Sequence, residues 1–124
     1  MRRSDQRREA VFALYQHEVT GRPTFESLAG SKPFSRELAD GVEAAQGELD
    51  EEIARLSRGW ELDRIAPLER SILRVALYEI RHRDDVPPEV AIDEAVSLAK
   101  RYCGANAPGF VNGILATAAR GQTA

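Results

Sequence analysis

Pro67-Leu68-Glu69-Arg70-Ser71-Ile72-Leu73-Arg74-Val75-Ala76-Leu77-Tyr78-Glu79-Ile80 is the stretch on which the fold turns. Leu68, Ile72, Leu73, Val75, Ala76, Leu77 and Ile80 recur at helical intervals and leave few faces for water. Pro67 suits a first helical turn, where its missing N–H costs little, and Asp63 is the expected cap. Arg81, His82 and Arg83 follow and favour the negative end of the helix dipole. This spacing predicts the most buried helix of an all-α domain.

Helical spacing continues on both sides. Upstream, Val11, Leu14 and Tyr15, with Ala10 and Phe12, form a stripe from Ser4 to about Val19. Ser4 or Asp5 is its expected cap, and Thr20-Gly21 ends it before Pro23. Arg7 and Arg8 lie four and three residues before Val11 and turn the stripe basic, so its first two turns are expected to project into solvent or onto a partner. Thr24 to Pro33 reads as a short helix or loop anchored by Phe25 and Leu28. Ser35 then caps a helix near residues 36–58, with Leu38, Val42, Ala45, Leu49, Ile53 and Leu56 inward and carboxylates facing water. Gly41 and Gly47 mark a bend or break in it, each weakening a helix by about 1 kcal/mol relative to Ala, and Gly59-Trp60 closes the segment. Downstream, Asp84-Asp85-Val86-Pro87-Pro88 is a rigid link. Ile92, Ala95, Val96, Ala99 and Tyr102 mark a helix closed by Gly104. Phe110, Val111, Ile114, Leu115 and Ala118 mark a last one before Gly121. The count is about six or seven helices.

The chain has 124 residues, enough for one compact domain, with 43% hydrophobic and 30% charged residues. Eighteen Ala, eleven Leu, thirteen Glu and fifteen Arg agree with an all-α class. No run approaches the roughly 20 apolar residues that a membrane span needs. The N-terminus does not resemble a secretory signal. Lone Cys103 excludes an internal disulfide and points to a reducing cytosol. Net charge is −3, which argues against a generic nucleic-acid coat protein, but its distribution is uneven. Residues 1–8 hold Arg2, Arg3, Arg7 and Arg8 against Asp5, while residues 37–52 hold seven carboxylates and no base. A polyanion is drawn to the first segment and repelled by the second.

Catalytic constellations are lacking. Gly104, Gly109 and Gly113 have neither Walker nor dinucleotide-binding spacing. His17 and His82 have no paired ligand at helical spacing, so no metal is expected. Cys103 reads as a structural thiol, and Asp84-Asp85 and Asp93-Glu94 as a turn and a helix surface. Neither enzyme activity nor a cofactor is expected.

The segment from Glu69 to Ile80 resembles the central motif of the NusB transcription antitermination family. So do Val86-Pro87, Val90-Ala91-Ile92-Asp93-Glu94-Ala95-Val96, Leu98-Ala99-Lys100 and Phe110-Val111-Asn112-Gly113-Ile114-Leu115. Arg7-Arg8-Glu9-Ala10, Ala13-Leu14-Tyr15-Gln16, Thr20-Gly21, Trp60 and Arg64 are similar too. The likeness covers the whole chain, is weakest over residues 22–58, and is specific from residue 60 onward. It implies a single domain over residues 1–124 made of two packed three-helix bundles sharing the first helix. It also implies binding to boxA-type RNA of ribosomal RNA leader transcripts, together with NusE, a small-subunit ribosomal protein. The pair would load onto RNA polymerase with other Nus factors and suppress premature termination, in the cytoplasm and without a cofactor.

On the same resemblance Arg2, Arg3, Arg7 and Arg8 match the family's basic N-terminus and would contact phosphates or bases. Phe110 matches a position near the RNA face, where a ring stacks on an unpaired base; it reads equally as a core residue. Asn106 stands beside it as a polar contact or as a helix cap. Tyr15 and Glu69 match the NusE-facing surface, though Tyr15 also suits the core and Glu69 a first-turn carboxylate. Gly109 replaces a residue that is often basic, so RNA binding is expected to be weak without NusE. Two rival readings remain: the helical module of an RNA methyltransferase, and a helical homodimer that buries the same face against itself.

Overall fold

α4 (Pro67–His82) is buried without interruption from Ser71 to Leu77. It is the central element of a computed structural model that describes residues 2–57 and 61–121. Around it lie α1 (Arg3–Thr20), α2 (Thr24–Ser27), α3 (Pro33–Leu56), α5 (Pro88–Tyr102) and α6 (Ala107–Ala119), with one 3-10 turn at Leu62–Arg64. The described residues contain no strand. The expected closure at Gly59-Trp60, the matching Trp60 and the helix end at Arg58 lie outside the described residues.

α4 packs against α1 and α3 on one side and α5 and α6 on the other. A helix covered on two sides has to pair the charges it buries, and α4 does so: Arg74 bonds Asp50 and Glu18, and Glu79 takes Arg7. The two three-helix groups, α1–α3–α4 and α4–α5–α6, therefore share α4, where the resemblance had implied the first helix. α5 presents Ala91, Ala95 and Ala99 inward. These small side chains allow close approach to α6, which contributes Ala107, Val111, Ile114, Leu115 and Ala118.

Several helix ends differ from expectation because the expected capping residues have tertiary partners. Ser4 donates its hydroxyl to Glu94, and Asp5 takes the Arg8 guanidinium, so neither caps α1. Ser35 lies inside α3, which starts with Pro33. Its hydroxyl reaches the Gln6 carbonyl (3.2 Å) and Glu9 (2.9 Å), tying α3 to α1. The residue before Pro67 is Ala66, while Asp63 sits in the 3-10 turn and caps nothing. Gly21 does end α1 as expected, with φ +80° and its N–H on the His17 carbonyl.

Two expectations about α2 and α3 are corrected. Phe25 is 72% exposed, so Leu28 and Thr24 anchor α2 instead, Thr24 through a 2.9 Å bond to Glu43. α3 is unbroken at both glycines. Gly41 is needed for packing: a Cβ there would fall 2.1 Å from Tyr78 Cζ, so the tyrosine ring occupies the space a side chain would take. The acidic face of α3 is only partly solvated. Arg83 bonds Glu37 (2.7 Å), Arg74 grips Asp50 (2.7 and 3.0 Å), and Arg81 grips Glu52. Cations of α4 and its C-terminal link thus cross-link the two helices.

Candidate nucleic-acid interface

The four N-terminal arginines do not form an open cationic pole. Arg7 is buried, 4% exposed, with its Nε donating to both Glu79 oxygens (2.8 and 3.0 Å) and its Nη1 to Glu94 (3.2 Å). Its turn of α1, with buried Gln6, docks on α4 and α5 and does not project beyond the core. The stripe turned basic because a carboxylate awaited it on the other side, which corrects the expectation drawn from spacing. Arg3 bonds Asp85 (2.8 Å) in the α4–α5 link, and Arg8 bonds Asp5 (3.2 Å). Arg2, 86% exposed, approaches Asp5 only to 3.9 Å.

Phe34 sits at the middle of this pole. The guanidiniums of Arg3, Arg7 and Arg83 lie 4.2, 5.3 and 5.2 Å from its ring centre. Three cations gather about one aromatic because Glu37, Glu79, Asp85 and Glu94 lie between them. Burial pushes the Glu79 carboxyl above its ordinary value, against the pull of Arg7. Hydrogen bonds from Arg83 and Arg3 hold Asp85 well below the usual carboxylate range. The pole has as many carboxyl groups as guanidiniums to offer a polyanion; Arg2, Arg3 and Arg8 are its most exposed guanidiniums, Arg83 is largely covered and Arg7 is buried.

The other end of α4 is open. A cavity of about 360 Å³ is lined by Arg64, Ala66, Glu69, Asn106, Ala107 and Phe110, among others. Three residues singled out from the sequence, 37 or more positions apart between Glu69 and the other two, meet there. Phe110 is half-buried and Asn106 exposed. Asn106 precedes α6 with no side-chain capping bond and lines the cavity. An aromatic ring, an amide and a carboxylate around a space of this size suit an unstacked nucleobase or a partner side chain.

Tyr15 is half-buried on α1 and edge-on to Phe12, whose ring is in turn edge-on to the partly exposed Tyr102 at 5.0 Å. Glu18, one turn beyond Tyr15, receives the Arg70 and Arg74 guanidiniums. This brings the C-terminal half of α1 beside the first turns of α4, where Glu69 stands. Burial, with the Glu69 carboxylate second, pushes the Cys103 thiol pKa up, which disfavours the thiolate. Sequence reading assigned no role at this end to Arg101 or Tyr102, nor a cavity contact to Arg64. Arg64 lines the cavity, and Lys100 and Arg101 carry no ion pair among the described residues. The signal was the Lys100-Arg101-Tyr102 run at the end of α5, visible only as a helix terminus until Phe12 was placed beside it. Among the described residues no cluster of three or more His, Cys, Asp or Glu is placed to hold a metal ion. None of the described helices is long and apolar enough to cross a membrane.

Comparison with known proteins identifies the family and the fold. A curated transcription antitermination protein NusB from Rubrobacter xylanophilus is 43% identical over 122 residues, covering 93% of this chain and 88% of the relative. The solved structure of T. maritima NusB is 31% identical and superposes with a TM-score of 0.90, covering 100% of this chain and 94% of the other. A further structure, of antitermination factors NusB and NusE in complex with dsRNA, shares the fold at 24% identity and a TM-score of 0.85, covering 97% of each chain. The NusB family model matches residues 4–120, so nearly the whole helical domain built around α4 is accounted for, and the chain belongs to the NusB family.

Proposed function

We propose that this protein is a transcription antitermination factor whose single helical domain, residues 1–124, binds a boxA-type single-stranded RNA jointly with NusE. It acts in the cytoplasm on the RNA polymerase elongation complex with other Nus factors, and holds RNA without transforming it. The observation that carries this reading is the meeting of Glu69, Asn106 and Phe110 around one open cavity in a chain whose relatives are named for antitermination. Phe110 stacks on an unpaired base and Asn106 bonds a base edge or phosphate. Arg2, Arg3 and Arg8 supply peripheral phosphate contacts, each competing with an internal carboxylate. Tyr15 and Glu69 face NusE, and a basic ribosomal protein offsets the net charge of −3 that RNA would otherwise meet.

Titration of a boxA-type RNA across salt, with and without NusE, tests the reading. Binding should be weak alone and tighten with NusE, and Glu69→Arg should remove the enhancement while leaving the helical circular dichroism unchanged. RNA binding indifferent to NusE, or an undiminished enhancement in the variant, would refute the joint mode.

A further inference from the structure

We infer that Arg7 is a positioning residue: with Glu79 and Glu94 it forms a buried ionic lock that sets the first turn of α1 and thereby the exposed guanidiniums of Arg3 and Arg8. The inference rests on the RNA-binding reading above and replaces the direct RNA contact that the family resemblance implied for Arg7.

Three observations carry it. First, the Arg7 and Glu79 side chains are only 5% and 1% exposed, with the Arg7 Nε–H shared between both Glu79 oxygens, so burial keeps the Arg7 guanidinium from a phosphate unless the core opens. Second, the lock joins three helices. Glu79 comes from α4 and Glu94 from α5, and Glu94 also takes the Ser4 hydroxyl from the exposed first turn. The surrounding apolar packing is close, with a residual void of only about 10 Å³ beside Val11, Ile72, Val75 and Ala95. Third, the turn so fixed carries its exposed arginines into defined places: Arg3 over Phe34 and onto Asp85, Arg8 onto Asp5. An apolar replacement of such a buried ion group can be as stable, so its distinctive contribution is to geometry: one register of α1 on α4 and α5 satisfies all three charges.

The lock and a direct RNA contact predict opposite signs for one variant, Glu79→Gln. If Arg7 is a phosphate ligand held in reserve, removing the Glu79 charge frees it, and RNA binds more tightly with a steeper dependence on salt. If Arg7 positions, the variant loosens the first turn. Affinity for a boxA-type RNA in the presence of NusE then falls by about fivefold, on the scale of re-ordering the released side chains, with the salt slope no steeper. Hydrogen exchange should show lost protection at residues 6–10 alone, with α4 and α6 unchanged. Should Glu79→Gln fold poorly, Glu94→Gln at the partly exposed arm tests the same sign with a smaller loss. Tighter binding overturns the inference, and so does unchanged RNA affinity with lowered exchange protection, which would leave Arg7 a purely structural residue. A wild-type protein that binds no RNA would instead sink the functional reading, and this one with it.

Discussion

The two ends of α4 are built on opposite terms. At its C-terminal end Glu79 and the adjoining Arg83 join Arg3, Arg7, Glu37, Asp85 and Glu94 in a network where each guanidinium has a carboxylate. At its N-terminal end Glu69 shares an open cavity with Asn106 and Phe110; Arg70 and Arg74 pair with Glu18 beside it, while Arg64, which lines the cavity, has no ion pair among the described residues. Formal charge concentrates at the first end, but charge available to a ligand does not. A guanidinium already bonded to a buried carboxylate contributes to packing and register, while a half-buried ring and an exposed amide lining an open cavity offer a ligand a surface.

The largest effect that would test this contrast is on stability. Arg7→Ala leaves Glu79 buried without its partner and should cost about 3–5 kcal/mol, read by urea unfolding. Arg8→Ala, one residue on, should stay within about 0.5 kcal/mol because its pair with Asp5 is at the surface. Similar losses for the two would erase the distinction between locked and reachable arginines. Next in size, Ile72→Ala should cost about 2–5 kcal/mol, since the residue is 2% exposed at the centre of α4.

At the open end the expected effect moves from stability to binding. Phe110→Ala should weaken RNA binding in the presence of NusE by about 1–3 kcal/mol, the range for one stacked base, without changing the salt slope. A variant that melts early and binds normally would make Phe110 a core residue. The smallest effect is on acid stability. Asp85 has its carboxyl held below the ordinary value of 3.8 by Arg83 and Arg3. A lowered folded-state pKa contributes stability that is complete above the unfolded value and lost as pH falls below about 4. Glu79, shifted upward by burial, has the opposite sign, its contribution fading as pH rises above its unfolded value. Asp85→Asn should therefore flatten the fall in Tm between about pH 4 and 2. An unchanged acid limb would mean the Arg83–Asp85–Arg3 bridge adds nothing in solution.

Much of the fold was legible because apolar spacing is local. The buried run of α4 and the Gly21 stop follow from residues within a few turns of one another, whereas on α5 spacing found Ala95 and Ala99 but missed Ala91 and put the exposed Tyr102 on the inward stripe. Misread were the positions whose behaviour depends on a distant partner. Ser4, Ser35 and Asp63 have good capping side chains, yet two are drawn to other helices and the third lies in a 3-10 turn. Gly41 looked like a helix breaker because Tyr78 lies 37 positions away. Arg7 is the clearest instance. Its spacing to Val11 and Leu14 placed it on the inward stripe, but Glu79 occupies the same inward stripe of α4 as Ile72, Val75 and Ala76, and only the two together make sense of either. In the candidate site, Glu69, Asn106 and Phe110 were named by family likeness; their shared cavity emerged only when α4 and the start of α6 were placed side by side.

We propose that RNA docks at the open end of α4, with the arginine pole peripheral to it. Backbone amide chemical shifts, followed while a boxA-type RNA is titrated into the protein bound to NusE, test it most directly. The largest changes should fall at residues 64–69 and 104–110, with smaller ones at residues 2–8. Changes concentrated at residues 2–8, with α6 silent, would contradict it.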